Sequence, residues 1–206
     1  IAFMRVEEVN NILFNDSIVR ALKKPSFVCI YIHIPLIFVS FIVGYFSKTL
    51  GFTWLALMIV CAELVIVITR FVFSYEQSFM GDLVRYWYAA LFLFASAYTL
   101  FEDGHVRVDV FYTNLKNKTK CFVNVVGSIL LGISTCFAIL FVGLNGTQSI
   151  INSPILNFEI SQQGSVGMFV KYQLAAFLAV FAISMLIQFI SYYFSSLSKM
   201  NELKKS

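Results

Sequence analysis

The stretch WLALMIVCAELVIVITRFVF, Trp54 to Phe73, decides the fold. A helix rises about 1.5 Å per residue and needs about 20 mainly apolar residues to cross a ~30 Å hydrocarbon layer, and this stretch is that long. Its only charges are Glu63 at the centre and Arg70 near the end. Outward from it lie four further runs of similar length: Phe27–Phe46, Leu83–Phe101, Phe122–Leu144 and Tyr172–Phe194. None is built from the roughly ten-residue alternating segments of a transmembrane barrel.

Composition says the same of the whole chain. Of its 206 residues, 59% are hydrophobic and only 13% charged, against about 25% charged in an ordinary soluble domain. Such a chain lacks the polar surface to cover a globule in water, so lipid is its surface. The net charge of +4 is small and calls for no nucleic-acid partner. The four cysteines form no C-x-x-C pair, and they read as small hydrophobes rather than as a redox or zinc site. The first apolar run is too long for the core of a signal peptide and no A-x-A-like site follows it, so no cleavage is expected.

Lys and Arg resist translocation and mark the cytoplasmic side. The loop Glu102–Cys121 carries Arg107, Lys116, Lys118 and Lys120, and the C-terminal tail carries Lys199, Lys204 and Lys205. The alternate loops are nearly free of bases. The last four runs are therefore expected to cross, with that loop and the C-terminus inside. If Phe27–Phe46 also crossed, Arg5, Arg20, Lys23 and Lys24 would lie outside, against the bias. The expected fold is an all-α integral membrane protein, a bundle of four transmembrane helices with an embedded or interfacial N-terminal hydrophobic helix; a fifth span is the alternative. The chain divides accordingly into a cytoplasmic segment 1–26, the hydrophobic helix 27–50, a four-helix domain 51–194 and a cytoplasmic tail 195–206.

Candidate chemistry is sparse. In GHVRVDV, Gly104 to Val110, His105, Arg107 and Asp109 alternate with valines, as in a short extended piece lying on the membrane surface. One histidine with no nucleophile or ligand set beside it argues for a charged loop or a docking element and against a catalytic or metal centre. Glu63 and Gln188 are the intramembrane polar groups. A carboxyl in hydrocarbon is costly and points to a proton relay, an ion site or a hydrogen-bonded pair, the last being preferred, with His33 as one partner. A transport pathway needs several such groups and broken helices, often repeated, and the chain offers one carboxyl and one amide. On the outer side, Glu76, Asp82 and Glu159 lie where they can steer a soluble partner, or are simply solvated. Trp54, Trp87, Tyr86 and Tyr88 read as interface anchors.

These residues resemble a known family. RFVF at Arg70–Phe73, Glu76 shortly after it, the helix Leu83–Phe101 and the G-H-x-R-x-D loop at Gly104–Asp109 look like the small membrane subunit of tripartite ATP-independent periplasmic (TRAP) transporters. The outer NFEISQQG and the following VKYQLAAFLAVFAISMLIQ resemble its longer-form members, often labelled for dicarboxylates or 2-oxo acids. The likeness runs from about Gly51 to Tyr192. Three features depart from the pattern: a single acid, Glu76, where a pair is usual; GSVGMF in place of a Gly-Pro element; and the strongly apolar Phe27–Phe46.

The resemblance implies a non-catalytic scaffold in a bacterial inner (cytoplasmic) membrane, multi-pass, with a cytoplasmic C-terminus and no cofactor of its own. A large membrane subunit would hold the substrate and Na⁺ sites, and a periplasmic binding protein would deliver an organic acid. Gly104, His105, Arg107, Asp109 and Arg70 would fasten the chain to the large subunit or close its own loop. Glu76, Asp82 and Glu159 would face the binding protein. The rival readings are a self-sufficient carrier or channel using Glu63, and a b-haem anchor ligated through His33.

Overall fold

The computed structural model describes residues 11–46, 51–75, 78–102, 112, 114–158 and 168–205, and the regular elements among them are helical. In chain order they are α1 (Asp16–Leu22), α2 (Pro25–Phe46), α3 (Phe52–Val72), α4 (Ser78–Phe101), α5 (Asn117–Leu144), α6 (Asn152–Leu156) and α7 (Lys171–Lys205). Four of them, α2, α3, α5 and α7, are long and apolar enough to cross a membrane. A helical bundle with four long apolar helices is as expected. α2, expected to be embedded or interfacial, is one of them, while α4 is long enough at 24 residues but less apolar. The cause is in its sequence: Asp82, Arg85 and the run Tyr86-Trp87-Tyr88 dilute the apolar character of its first half.

The chain forms two compact units, residues 1–92 with 154–174, and residues 93–153 with 175–206. In the first, α3 packs on α4 through Ile59, Ala62 and Val84, with Leu55, Ile66, Met80, Trp87 and Leu91 around them. The positions 55, 59, 62 and 66 are one helical stripe. A second cluster joins Leu22, Val28 and Ile32 with Phe14, Phe27 and Phe158. Beyond it, no residue of Ile34–Phe46 is buried. Half of α2 is thus apolar all round and uncovered, as a lipid-facing or partner-facing helix is.

Both interruptions in the long helices have local causes. Pro35 has no N–H and its ring crowds the carbonyl four residues back. Immediately before it, Cys29–His33 widens into a π segment in which the Ile34 N–H bonds the Cys29 carbonyl. In α5 the π segment Ser128–Ile133 is flanked by back-bonding hydroxyls, Ser128 to the Asn124 carbonyl (2.7 Å) and Ser134 to that of Leu130. α3 ends at Ser74, held at φ 50°, with the Tyr75 N–H reaching back to the Thr69 carbonyl at 3.1 Å.

In the second unit α5 and α7 meet at Gly132. A Cβ placed there would lie 2.5 Å from the Phe189 ring, so only hydrogen fits without a shift. Gly143 is closed in the same way by Ile151, which is fully buried. The turn after α5 folds back: the Ile151 N–H bonds the Gly143 carbonyl (3.0 Å), and the Asn152 amide caps Leu144 O at 2.6 Å. These bonds satisfy carbonyls that a helix end leaves open. α7 continues to Lys205, about 52 Å in all at 1.5 Å per residue, so the expected tail 195–206 is mostly a helical extension. Replacing Gly132 with Leu should destabilise the chain by about 1–3 kcal/mol through overpacking, read as a lower detergent melting temperature, with Gly132→Ala intermediate.

Candidate functional site

The loop residues Gly104, His105, Arg107 and Asp109, and the outer acids Glu76 and Glu159, lie outside the described residues. Asp82 and Arg70 are described. Asp82 is not a loop group, because α4 begins at Ser78. Its carboxylate is only about one-tenth exposed and pairs with Arg85 one turn along at 3.3 Å. That leaves it less reach toward a soluble partner than a loop carboxylate has. Arg70 is exposed in the last turn of α3, where a cation complements the helix dipole.

The polar groups that the fold does bring together belong to the first unit and come from three helices. On α4 the Tyr86 hydroxyl donates to Gln173 Oε1 at 2.6 Å. Gln173 Nε2 in turn donates to the Tyr172 hydroxyl at 3.1 Å. Tyr172 then meets His33 Nε2, from the π segment of α2, at 2.8 Å. With Nε2 unprotonated the hydroxyl donates to it; with Nε2–H the direction reverses. Tyr86, Tyr172 and Gln173 are all buried. Phe158 stacks on Tyr172, ring centroids 4.4 Å apart, and does so from a backbone at φ 45°. A bulky residue in that region is strained and is held there by what surrounds it.

Two expectations change here. Tyr86 is a buried member of a network rather than an interface anchor, and Trp87 packs against the α3 stripe; Trp54 and Tyr88 are exposed. His33 bonds Tyr172, and Nε2, the nitrogen an axial ligand would use, makes that bond. The Lys171-Tyr172-Gln173 triplet opening an otherwise apolar run was the sequence signal for this site. The seven-residue recurrence of Ser26, His33 and Ser40 is a second one, giving α2 one weakly polar face.

Glu63 stands apart. It is exposed on α3 beside Val60 and Val67, with Arg70 two turns along the same face. The neighbouring stripe of Ile59, Ala62 and Ile66 is the one turned inward. Gln188 on α7 is half-buried. Among the described residues, no three His, Cys, Asp or Glu side chains come together as metal ligands.

The arrangement is that of a multi-pass helical membrane protein whose polar side chains fasten helices to one another. Its most exposed apolar helices carry a single central carboxylate. The chain belongs to the family described as tripartite ATP-independent periplasmic transporters, DctQ component, whose model matches residues 56–197. It is thus a small membrane subunit of the TRAP transporter class. Comparison with curated proteins finds no match.

Removing the Tyr86 hydroxyl (Tyr86→Phe) would leave a buried amide oxygen unsatisfied, a cost of about 1–3 kcal/mol. A double-mutant cycle of Tyr86→Phe with Gln173→Leu should recover part of it, and strict additivity in thermal unfolding would show that the bond contributes nothing.

Proposed function

We propose that this chain is the non-catalytic scaffold of a Na⁺-driven secondary transporter for organic acids, of the dicarboxylate or 2-oxo-acid kind. It pairs with a large membrane subunit that moves the substrate, and helps receive a periplasmic binding protein. Family membership over residues 56–197 supports the division of labour. The observation that carries the pairing is Glu63. A carboxylate facing lipid at mid-helix costs about 2.5–3.5 kcal/mol on insertion scales, and a helix of a partner subunit that hydrogen-bonds it would remove most of that cost. The uncovered Ile34–Phe46 half of α2 offers a further apolar surface for the same purpose.

The charge bias supports a cytoplasmic C-terminus, with Lys199, Lys204 and Lys205, and the scheme sets the chain in a bacterial inner membrane. On that side Gly104, His105, Arg107 and Asp109 fasten the chain to the large subunit or close its own loop. The outer acids Glu76 and Glu159 face the binding protein. The chain needs no cofactor in this scheme, since Na⁺ belongs to the large subunit.

Purification of a tagged copy from its native membrane should bring a polytopic partner in stoichiometric amount. Arg107→Ala and Asp109→Ala should each lower that yield and the uptake that depends on it; wild-type values in both would remove them from the interface. Glu63→Leu separates the readings by sign. In a scaffold it should stabilise the isolated chain in detergent while weakening the complex. A self-sufficient carrier would instead lose its own activity.

A further inference from the structure

The second unit holds a three-part cavity to which the scaffold reading gives no role. Its largest part, about 640 Å³, runs beside α5 and α7 between Val123 and Ile139 and is walled by Leu131, Phe181, Met185 and Phe189 among others. At one end it shares Tyr112, Asn124 and Tyr192 with a second cavity of about 560 Å³. That one is about half polar, with Lys120, Lys199, Asn117, Ser195, Ser196 and Glu202 in its lining. At the other end Thr135 and Ile139 lead into an apolar cavity of about 360 Å³.

We propose that this is a phospholipid site: an acyl chain lies in the apolar groove along α5, and the phosphate of an anionic headgroup sits between Lys120 and Lys199. The dimensions agree with this occupant. Val123 to Ile139 covers about 24 Å of helix, enough to run from the membrane surface past the midplane of a ~30 Å core. The join between the apolar groove and the lysine-lined part is built for a change of polarity. Asn124 Nδ2 donates to the Tyr112 hydroxyl at 2.8 Å, and the Ser128 hydroxyl is turned away onto the Asn124 carbonyl. Beyond that pair the groove offers almost no polar atoms.

The chemistry favours a lipid over other small molecules. A carboxylate substrate in the apolar part would be desolvated without a partner. The polar part alone fits a soluble anion, but its opening into an apolar groove gives a bilayer lipid an advantage that a soluble anion lacks. Lys120 lies 5.4 Å from the Tyr112 ring centroid, which holds its ammonium at the mouth, and Lys199 comes from the last turns of α7. Glu202 offsets one of the two charges and leaves a net positive mouth. Basic pockets between helices on the cytoplasmic side hold anionic headgroups for this reason. The site rests on the membrane class of the chain and not on its part in transport.

The test uses the full chain with whatever subunit copurifies, stripped of lipid in detergent and titrated with dioleoylphosphatidylglycerol or dioleoylphosphatidylcholine while its thermal unfolding is followed. The phosphatidylglycerol should bind about tenfold more tightly, and in Lys120→Gln/Lys199→Gln the two lipids should come within about twofold. Lys199 is exposed and Lys120 half-buried, and glutamine keeps a polar side chain at each position, so the double variant should keep the fold, which its unliganded melting temperature checks. Equal affinities in the wild type would overturn the proposal, as would a preference that survives the double substitution. Glycerol 3-phosphate supplies the headgroup chemistry without a chain; stabilisation equal to that by the lipid would make this a soluble-anion site instead. Thr135→Phe, which fills the groove where its two apolar parts join, should weaken both lipids, and unchanged binding would contradict the acyl placement.

Discussion

Everything in this chain follows from the absence of water around most of it. In hydrocarbon an unsatisfied N–H or C=O costs several kcal/mol, so the backbone must close its own hydrogen bonds, and helices do this within one segment. With 13% charged residues the sequence has little else to offer. Its departures from regular helix are repaired on the spot. Before Pro35 the helix widens into a π segment whose bonds stay within the helix, and the Asn152 amide caps the end of α5. Serine hydroxyls turn back onto their own helix rather than reaching for a substrate.

The same constraint divides the polar side chains into those that are answered within the chain and those that are not. Tyr86, Gln173, Tyr172 and His33 form a continuous chain of hydrogen bonds that ties α2 and α4 to the start of α7. Asp82 is answered by Arg85. Glu63 is exposed on an apolar helix, and this links the structure to function. A subunit that worked alone would keep its membrane carboxylate inside, along a path between helices. A subunit that works against another can leave one on the contact face.

Much of the fold was legible because hydropathy is a first-order signal: the run Trp54–Phe73 became α3, Phe52–Val72, and Phe122–Leu144 lies within α5. The family was legible from RFVF, the G-H-x-R-x-D loop and NFEISQQG. What sequence reasoning missed depends on tertiary placement. An aromatic hydroxyl at a helix end has the same pattern whether it faces headgroups or a buried amide, so Tyr86 read as an anchor. The reach of α7 to Lys205 was hidden because its last turns are polar, and hydropathy marks where a span stops and not where a helix stops. The sequence assigned α4 to the spans over α2 because the charge bias was weighed above apolarity. Length and apolarity alone add α2 to the candidate spans.

The central claim is that the chain carries no transport path of its own. Its most direct test is flux in liposomes: the purified chain alone, under an inward Na⁺ gradient, with a labelled C4 dicarboxylate and a labelled 2-oxo acid outside. A scaffold subunit should give uptake no greater than in empty liposomes, and gradient-dependent uptake only when the large subunit and the binding protein are added. Gradient-driven uptake by the chain alone, lost in Glu63→Gln, would contradict it and make Glu63 the working group of a carrier.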